Sequence, residues 1–101
     1  MLGVVGDLVE DIVVWSPGAV RPATDNPSRI TRTRGGSAAN VAALAASIGT
    51  PARFIGRVGD DATGCQLVEQ LSQCGVDVRA QRNGRTGAVV VLVDAAGERT
   101  M

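Results

Sequence analysis

The 101-residue sequence contains no histidine, no lysine and no tyrosine, and only one tryptophan and one phenylalanine. Without histidine there is no imidazole to serve as general base or metal ligand, so any acid–base work falls to carboxylates. Ten arginines balance ten acidic residues to a formal charge of zero, which implies no electrostatic partner and no nucleic acid. The N-terminus, Met1 to Val5, has no basic leader, and no apolar run is long enough to cross a bilayer. Neither export nor a membrane is therefore expected, and cytoplasm is the default compartment. Cys65 and Cys74 are the only cysteines, and in that setting they read as free structural thiols rather than a disulfide. With 45% hydrophobic residues, the chain is globular, and its length suits one domain or part of one.

What is present concentrates in Arg34-Gly-Gly-Ser-Ala-Ala-Asn-Val-Ala-Ala-Leu-Ala-Ala-Ser-Ile-Gly49. Gly35 and Gly36 lack a Cβ, so the backbone turns tightly there and can approach a ligand. Ser37 stands where an N-cap is expected, followed by strong helix formers whose free N–H groups should point towards the glycine turn. Asn40 falls within the first helical turn, where its amide can both donate and accept hydrogen bonds. That pattern suits the recognition of hydroxyls.

The order of elements predicts an α/β layer. Leu2 to Val5 and Arg53 to Val58 read as buried parallel strands, and Val76 to Ala80 as a third short one followed by a polar turn at 81–85. Between them lie a helix over 38–48, with Val41, Leu44, Ser47 and Ile48 at helical spacing and Gly49 as its stop. A second helix runs to about Cys74, capped from Gly59-Asp60-Asp61, with Leu67, Val68, Leu71 and Cys74 on one face. The runs at 12–15 and 28–34, and a hairpin from 86 with a turn at Ala95-Ala-Gly97 and a strand from Glu98, do not fit the layer. They predict a second, smaller sheet able to cover the glycine turn. Residues 17–27 read as loop.

Gly35-Gly-Ser-Ala-Ala-Asn-Val-Ala42, followed at fixed spacing by Gly49 and Gly59, resembles the N-terminal signature of the ribokinase-like (PfkB) carbohydrate kinases. Val5-Gly-Asp7 with Asp11, Gly56-Arg-Val-Gly-Asp-Asp61, Thr86-Gly87 and Gly97-Glu-Arg99 extend the resemblance over essentially the whole chain. The resemblance implies the N-terminal part of a three-layer fold with a mainly parallel sheet and a small β-sheet lid. The core would comprise about 1–11 and 35–85, and the lid about 12–34 and 86–101. It also implies an ATP-dependent kinase that phosphorylates a sugar or nucleoside hydroxyl. By the same resemblance Asp11 matches a carboxylate that accepts hydrogen bonds from substrate hydroxyls. Gly35 and Gly36 match a turn whose backbone contacts the sugar, and Asn40 an amide contact, whereas Ser37 occupies a position that varies between subfamilies. ATP and Mg would be held mainly by a downstream part bearing a Gly-Ala-Gly-Asp motif, which does not occur here. The chain alone is therefore expected to be inactive, and the complete protein to be a homodimer through the lid.

Competing readings stay open for several residues. Trp15 shares a strand face with Asp11 and Val13, which would let its indole stack on a nucleobase; equally, it would fill the lid core or a subunit contact. Arg29, Arg32 and Arg34 admit a phosphate-binding reading beside that of a solvated edge that resists aggregation. Asp60 and Asp61 read as turn and helix cap rather than metal ligands. The alternative function is a non-catalytic sugar-binding or dimerising module derived from such a kinase. Dinucleotide binding fails on spacing, since Gly3-Val-Val-Gly6 is not Gly-x-Gly-x-x-Gly.

Overall fold

The computed structural model describes residues 1–18, 22–94 and 97–100. In chain order the elements are β1 (Leu2–Asp7), β2 (Val9–Trp15), β3 (Arg29–Gly35), α1 (Ser37–Ser47), β4 (Ala52–Val58), α2 (Ala62–Gln73), β5 (Asp77–Arg82), β6 (Ala88–Val93) and β7 (Arg99–Thr100). They form two compact units, one of residues 1–10 and 34–87, the other of 11–33 and 88–101.

In the first unit, β1, β4 and β5 make a parallel sheet in the order β1-β4-β5. Alternation sends Ala52, Phe54 and Val58 of β4 to one face, where they meet Ala39, Ala42 and Ala45 of α1 and Leu67 and Leu71 of α2. Phe54 is fully buried and is the largest side chain of this core. The opposite face leaves Val5 and Ile55 exposed, with Arg53 and Arg79 both paired to Asp77 at 2.8 and 3.0 Å. β5 runs two residues further than its apolar content suggests. Its polar end is held in register against β4, with Val58 beside Arg82 and the Arg82 Nε donating to the Gly59 carbonyl at 3.1 Å.

The helix α1 turns its small residues to the sheet. The sheet-facing positions are the alanines 39, 42 and 45, whereas Val41, Leu44 and Ile48 are 49, 67 and 75% exposed. The reason is closeness: a Cβ at Gly6 on β1 would stand 2.7 Å from the Ala38 Cβ, so the helix lies against backbone and larger side chains have no room beneath it. Gly49 ends α1 as expected, at φ 86, with its N–H and that of Thr50 returning to the Ala46 and Ala45 carbonyls. On α2, Leu67 and Leu71 are buried as predicted, but Cys74 is an exposed C-cap and Cys65 is exposed too, so both thiols are free and neither packs in the core.

The second unit is a sheet in the order β3-β2-β6-β7. Glu10 N–H donates to Gly87 O and Ser16 N–H to Val93 O, equal steps along both strands, so β2 and β6 run parallel. β7 returns antiparallel, Leu92 opposite Thr100 and Val93 opposite Arg99. Thus the segments that did not fit the parallel layer do share one sheet. Val91 and Val93 are buried, while Val90, Leu92 and Ile30 are exposed. Of the expected turn at 95–97, Ala95 and Ala96 lie outside the described residues, and Gly97 takes φ 82 with its N–H on the Asp94 carbonyl.

Candidate functional site

The glycine pair joins β3 to α1 at a corner dictated by β1. Gly35 is the buried last residue of β3, and Gly36 follows at φ 102, ψ 127 as the N-cap of α1. A Cβ at Gly36 would fall on the carbonyl of Asp7, so only glycine fits both the dihedral and the space. This corrects the expected cap. Ser37 is not the N-cap but the first helical residue, exposed, and no side chain caps α1. The cap position has been taken by a residue without a side chain because β1 passes directly behind it. No acidic residue stands in the first turn either, so the N–H groups there keep their partial positive charge.

Asn40 is exposed on this turn, its backbone N–H donating to Gly36 O at 2.9 Å. Arg34, half-buried near the end of β3, donates from Nη1 to Asn40 Oδ1 at 3.2 Å. Gly35, Gly36, Ser37 and Asn40 therefore come together in the first unit, and Arg34 joins them. Neither the phosphate-binding nor the solvated-edge reading of Arg34 includes Asn40 as its partner; the signal available is its place one residue before the glycine pair.

Asp11 and Trp15 lie on β2 in the second unit. Asp11 is half-buried, and Trp15 is 39% exposed. The Arg29 guanidinium carbon sits 5.0 Å from the Trp15 ring centroid, a cation–π arrangement worth about 0.5–1 kcal/mol at an exposed site. Trp15, Arg29, Ser28 and Asp94, with Pro17 and Pro27, line a groove of about 580 Å³. Neither reading of Trp15 had included Arg29 as its partner, because the two residues are separated by the proline-rich loop.

A second polar cluster lies where α2 begins. Asp61 caps α2, its Oδ1 accepting from Gly64 N–H at 2.8 Å and from the Thr86 hydroxyl at 2.6 Å, while Oδ2 accepts from Thr86 N–H at 2.9 Å. Gly59 N–H donates to Thr86 Oγ1 at 3.0 Å, and Arg82 reaches Cys65 Sγ at 3.0 Å. The Thr86 hydroxyl above all, then the N–H groups of Thr86 and Gly64, hold the Asp61 carboxyl down to about 2. The cap was anticipated; the tie to Thr86 was not, because the two residues are far apart in the chain.

A parallel α/β layer whose first helix opens on a glycine pair, accompanied by a small separate sheet, is the ribokinase-like architecture. The ribokinase of Thermotoga maritima matches with a TM-score of 0.86 at 27% identity, covering 99% of this chain and 34% of that one. The Cryptococcus neoformans ribokinase solved in complex with ADP matches at 0.82 and 30% identity, covering 98% and 32%. The family model for pfkB family carbohydrate kinases matches residues 1–101, and the chain belongs to that family. Among curated relatives, a fructokinase of Klebsiella pneumoniae is 40% identical over 100 residues, 96% of this chain and 29% of its own length. An ATP-dependent ribose-1-phosphate kinase of Halopiger xanaduensis is 42% identical over 83 residues, 76% of this chain and 28% of its own length. The chain thus spans less than a third of the length of these curated relatives.

Proposed function

We propose that the chain supplies the acceptor-binding part of an ATP-dependent kinase that phosphorylates a sugar hydroxyl. The observation that carries this reading is the corner at Gly35-Gly36, where an uncapped helix start and the exposed Asn40 carboxamide present hydrogen-bonding groups together. Such groups match the hydroxyls of a sugar rather than a hydrophobic ligand. Membership of a carbohydrate kinase family supports it, as do relatives that are a fructokinase and an ATP-dependent kinase of a ribose phosphate. Gly35 and Gly36 contribute backbone and Asn40 its amide; Ser37 is exposed and not engaged as a cap, and for Asp11, in the second unit, the family resemblance alone supports a hydroxyl contact.

Among the described residues no group of carboxylates is gathered that could hold Mg. Asp60 and Asp61 are adjacent carboxylates, but Asp61 spends both oxygens on Thr86 and Gly64. The nucleotide and its cation are assigned to the remainder of a full-length kinase. On this reading residues 1–101 bind an acceptor without turning it over, because phosphoryl transfer needs charge stabilisation that these residues do not bring to the glycine corner.

Segments at about 12–34 and 86–101 act as the lid and, through the exposed Ile30, Val90 and Leu92, as the contact between two copies in a cytoplasmic homodimer. The competing reading is a non-catalytic sugar-binding or dimerising module. Assay of the full-length polypeptide for ATP consumption against a panel of sugars and nucleosides decides between them. Turnover stimulated by a sugar supports the kinase; sugar binding without turnover for any acceptor replaces it by the module.

A further inference from the structure

We infer that Arg34 is a positioning residue of the acceptor corner: it holds the Asn40 carboxamide by its oxygen, so that Asn40 turns its NH₂ group to a ligand as a hydrogen-bond donor. This rests on the acceptor reading of Asn40 given above. Arg34 lies one residue before the glycine pair, half-buried, and its Nη1 donates to Asn40 Oδ1 at 3.2 Å. A guanidinium carries five donors and no acceptor, so only the oxygen of the carboxamide can face it. The NH₂ group is thereby turned away from Arg34 and left for a ligand.

This constrains what binds. The Asn40 NH₂ and the first-turn N–H groups of α1, which no side chain caps, are donors. A ligand oxygen seated against them must bring lone pairs, so a sugar hydroxyl is gripped through its oxygen and keeps its own proton for another partner. An Asn40 free to rotate would satisfy the same hydroxyl through either end of its amide, and would hold it in two orientations. Arg34 favours the one in which the NH₂ group donates. The positive charge beside the corner also favours an acceptor oxygen that is electron-rich over one that donates.

The test uses the full-length polypeptide. Arg34→Met is expected to raise the acceptor KM about 5- to 30-fold, with the KM for ATP and the thermal midpoint unchanged, and Arg34→Lys, which retains a charged donor, to recover part of it. Because Arg34 acts through Asn40, Arg34→Met on an Asn40→Ala background should add nothing. An unchanged acceptor KM overturns the inference, and so does a full additional rise on the Asn40→Ala background, which would mean that Arg34 touches the acceptor itself. The side-chain NH₂ resonances of Asn40 give a readout that needs no acceptor. They should shift in Arg34→Met and stay near their original positions in Arg34→Lys; resonances indifferent to both variants also overturn the inference. A wild-type protein that phosphorylates no sugar defeats the proposed function instead, and the amide resonances still decide the orientation of Asn40.

Discussion

The Thr86 hydroxyl donates to Asp61 Oδ1 at 2.6 Å, joining the cap of α2 to the segment that leads into β6. Asp61 serves two masters with one carboxylate, since Gly64 N–H and Thr86 N–H bind it as well. Its ionised form is what all three donors stabilise. The geometry therefore makes the start of α2 and the approach to β6 depend on a single charge.

Acid should undo this tie. The folded-state value of about 2 lies below the ordinary 3.8, so the contribution is complete above pH 4 and disappears as pH falls towards 2. Denaturant midpoints measured across that window should fall more steeply for the wild type than for Asp61→Asn, which carries no charge to lose. Parallel slopes for the two proteins would show that Asp61 is not held by Thr86 in solution. Thr86→Val should reproduce much of the Asp61→Asn profile, because it removes the largest cause of the shift.

Gly36 should be the least replaceable glycine of the chain. Gly36→Ala combines a left-handed backbone with a Cβ driven into the Asp7 carbonyl, so its cost exceeds the roughly 1–3 kcal/mol of the backbone strain alone. Gly49→Ala faces open space at φ 86 and should show only that strain, and Gly3→Ala, with neither constraint, should be near neutral. Equilibrium unfolding of the three variants gives the order directly. Equal losses at positions 36 and 49 would mean that β1 does not pass behind the helix start.

The layer order was legible because glycines and apolar runs punctuate it at the right spacing, and the glycine corner because its residues are consecutive. What the sequence hid depends on backbone proximity. The alanines of α1 suit a close approach to a sheet, but it takes Gly6, which brings β1 up to Ala38, to leave Val41 and Leu44 on the outside. Ser37 looks like a cap until Asp7 claims the space that would let any residue but glycine precede the helix. The partners Arg29 on Trp15 and Thr86 on Asp61 are set by strand neighbours and a loop closure, and no local pattern encodes either.

The face of α1 can be inverted on purpose. Ala42→Leu forces extra methylenes into the contact with β1 and β4 and should destabilise the chain by about 1–3 kcal/mol. Leu44→Ala, on the exposed side, should change stability by no more than about 0.5 kcal/mol in the 101-residue chain. Phe54→Ala sets the scale, since emptying the centre of the core should cost about 3–5 kcal/mol. If Leu44→Ala costs as much as Ala42→Leu, the helix is rotated from the orientation described here.

Trp15 offers a test of whether the second unit meets a ligand at all. Arg29 covers one part of the indole environment at 5.0 Å, so a nucleobase could stack there only by displacing the guanidinium or sandwiching it. Displacement would cost the cation–π contact, about 0.5–1 kcal/mol, and Arg29→Met should then raise affinity for nucleosides while leaving simple sugars unchanged. Trp15→Leu should lower nucleoside affinity selectively if the ring itself is used. Affinities of both variants for a nucleoside and for a simple sugar, measured by calorimetry on the full-length polypeptide, separate these cases. If neither variant distinguishes the two ligand classes, the Trp15–Arg29 pair shapes the small sheet and its groove, and acceptor choice lies with the corner at Gly36 and Asn40.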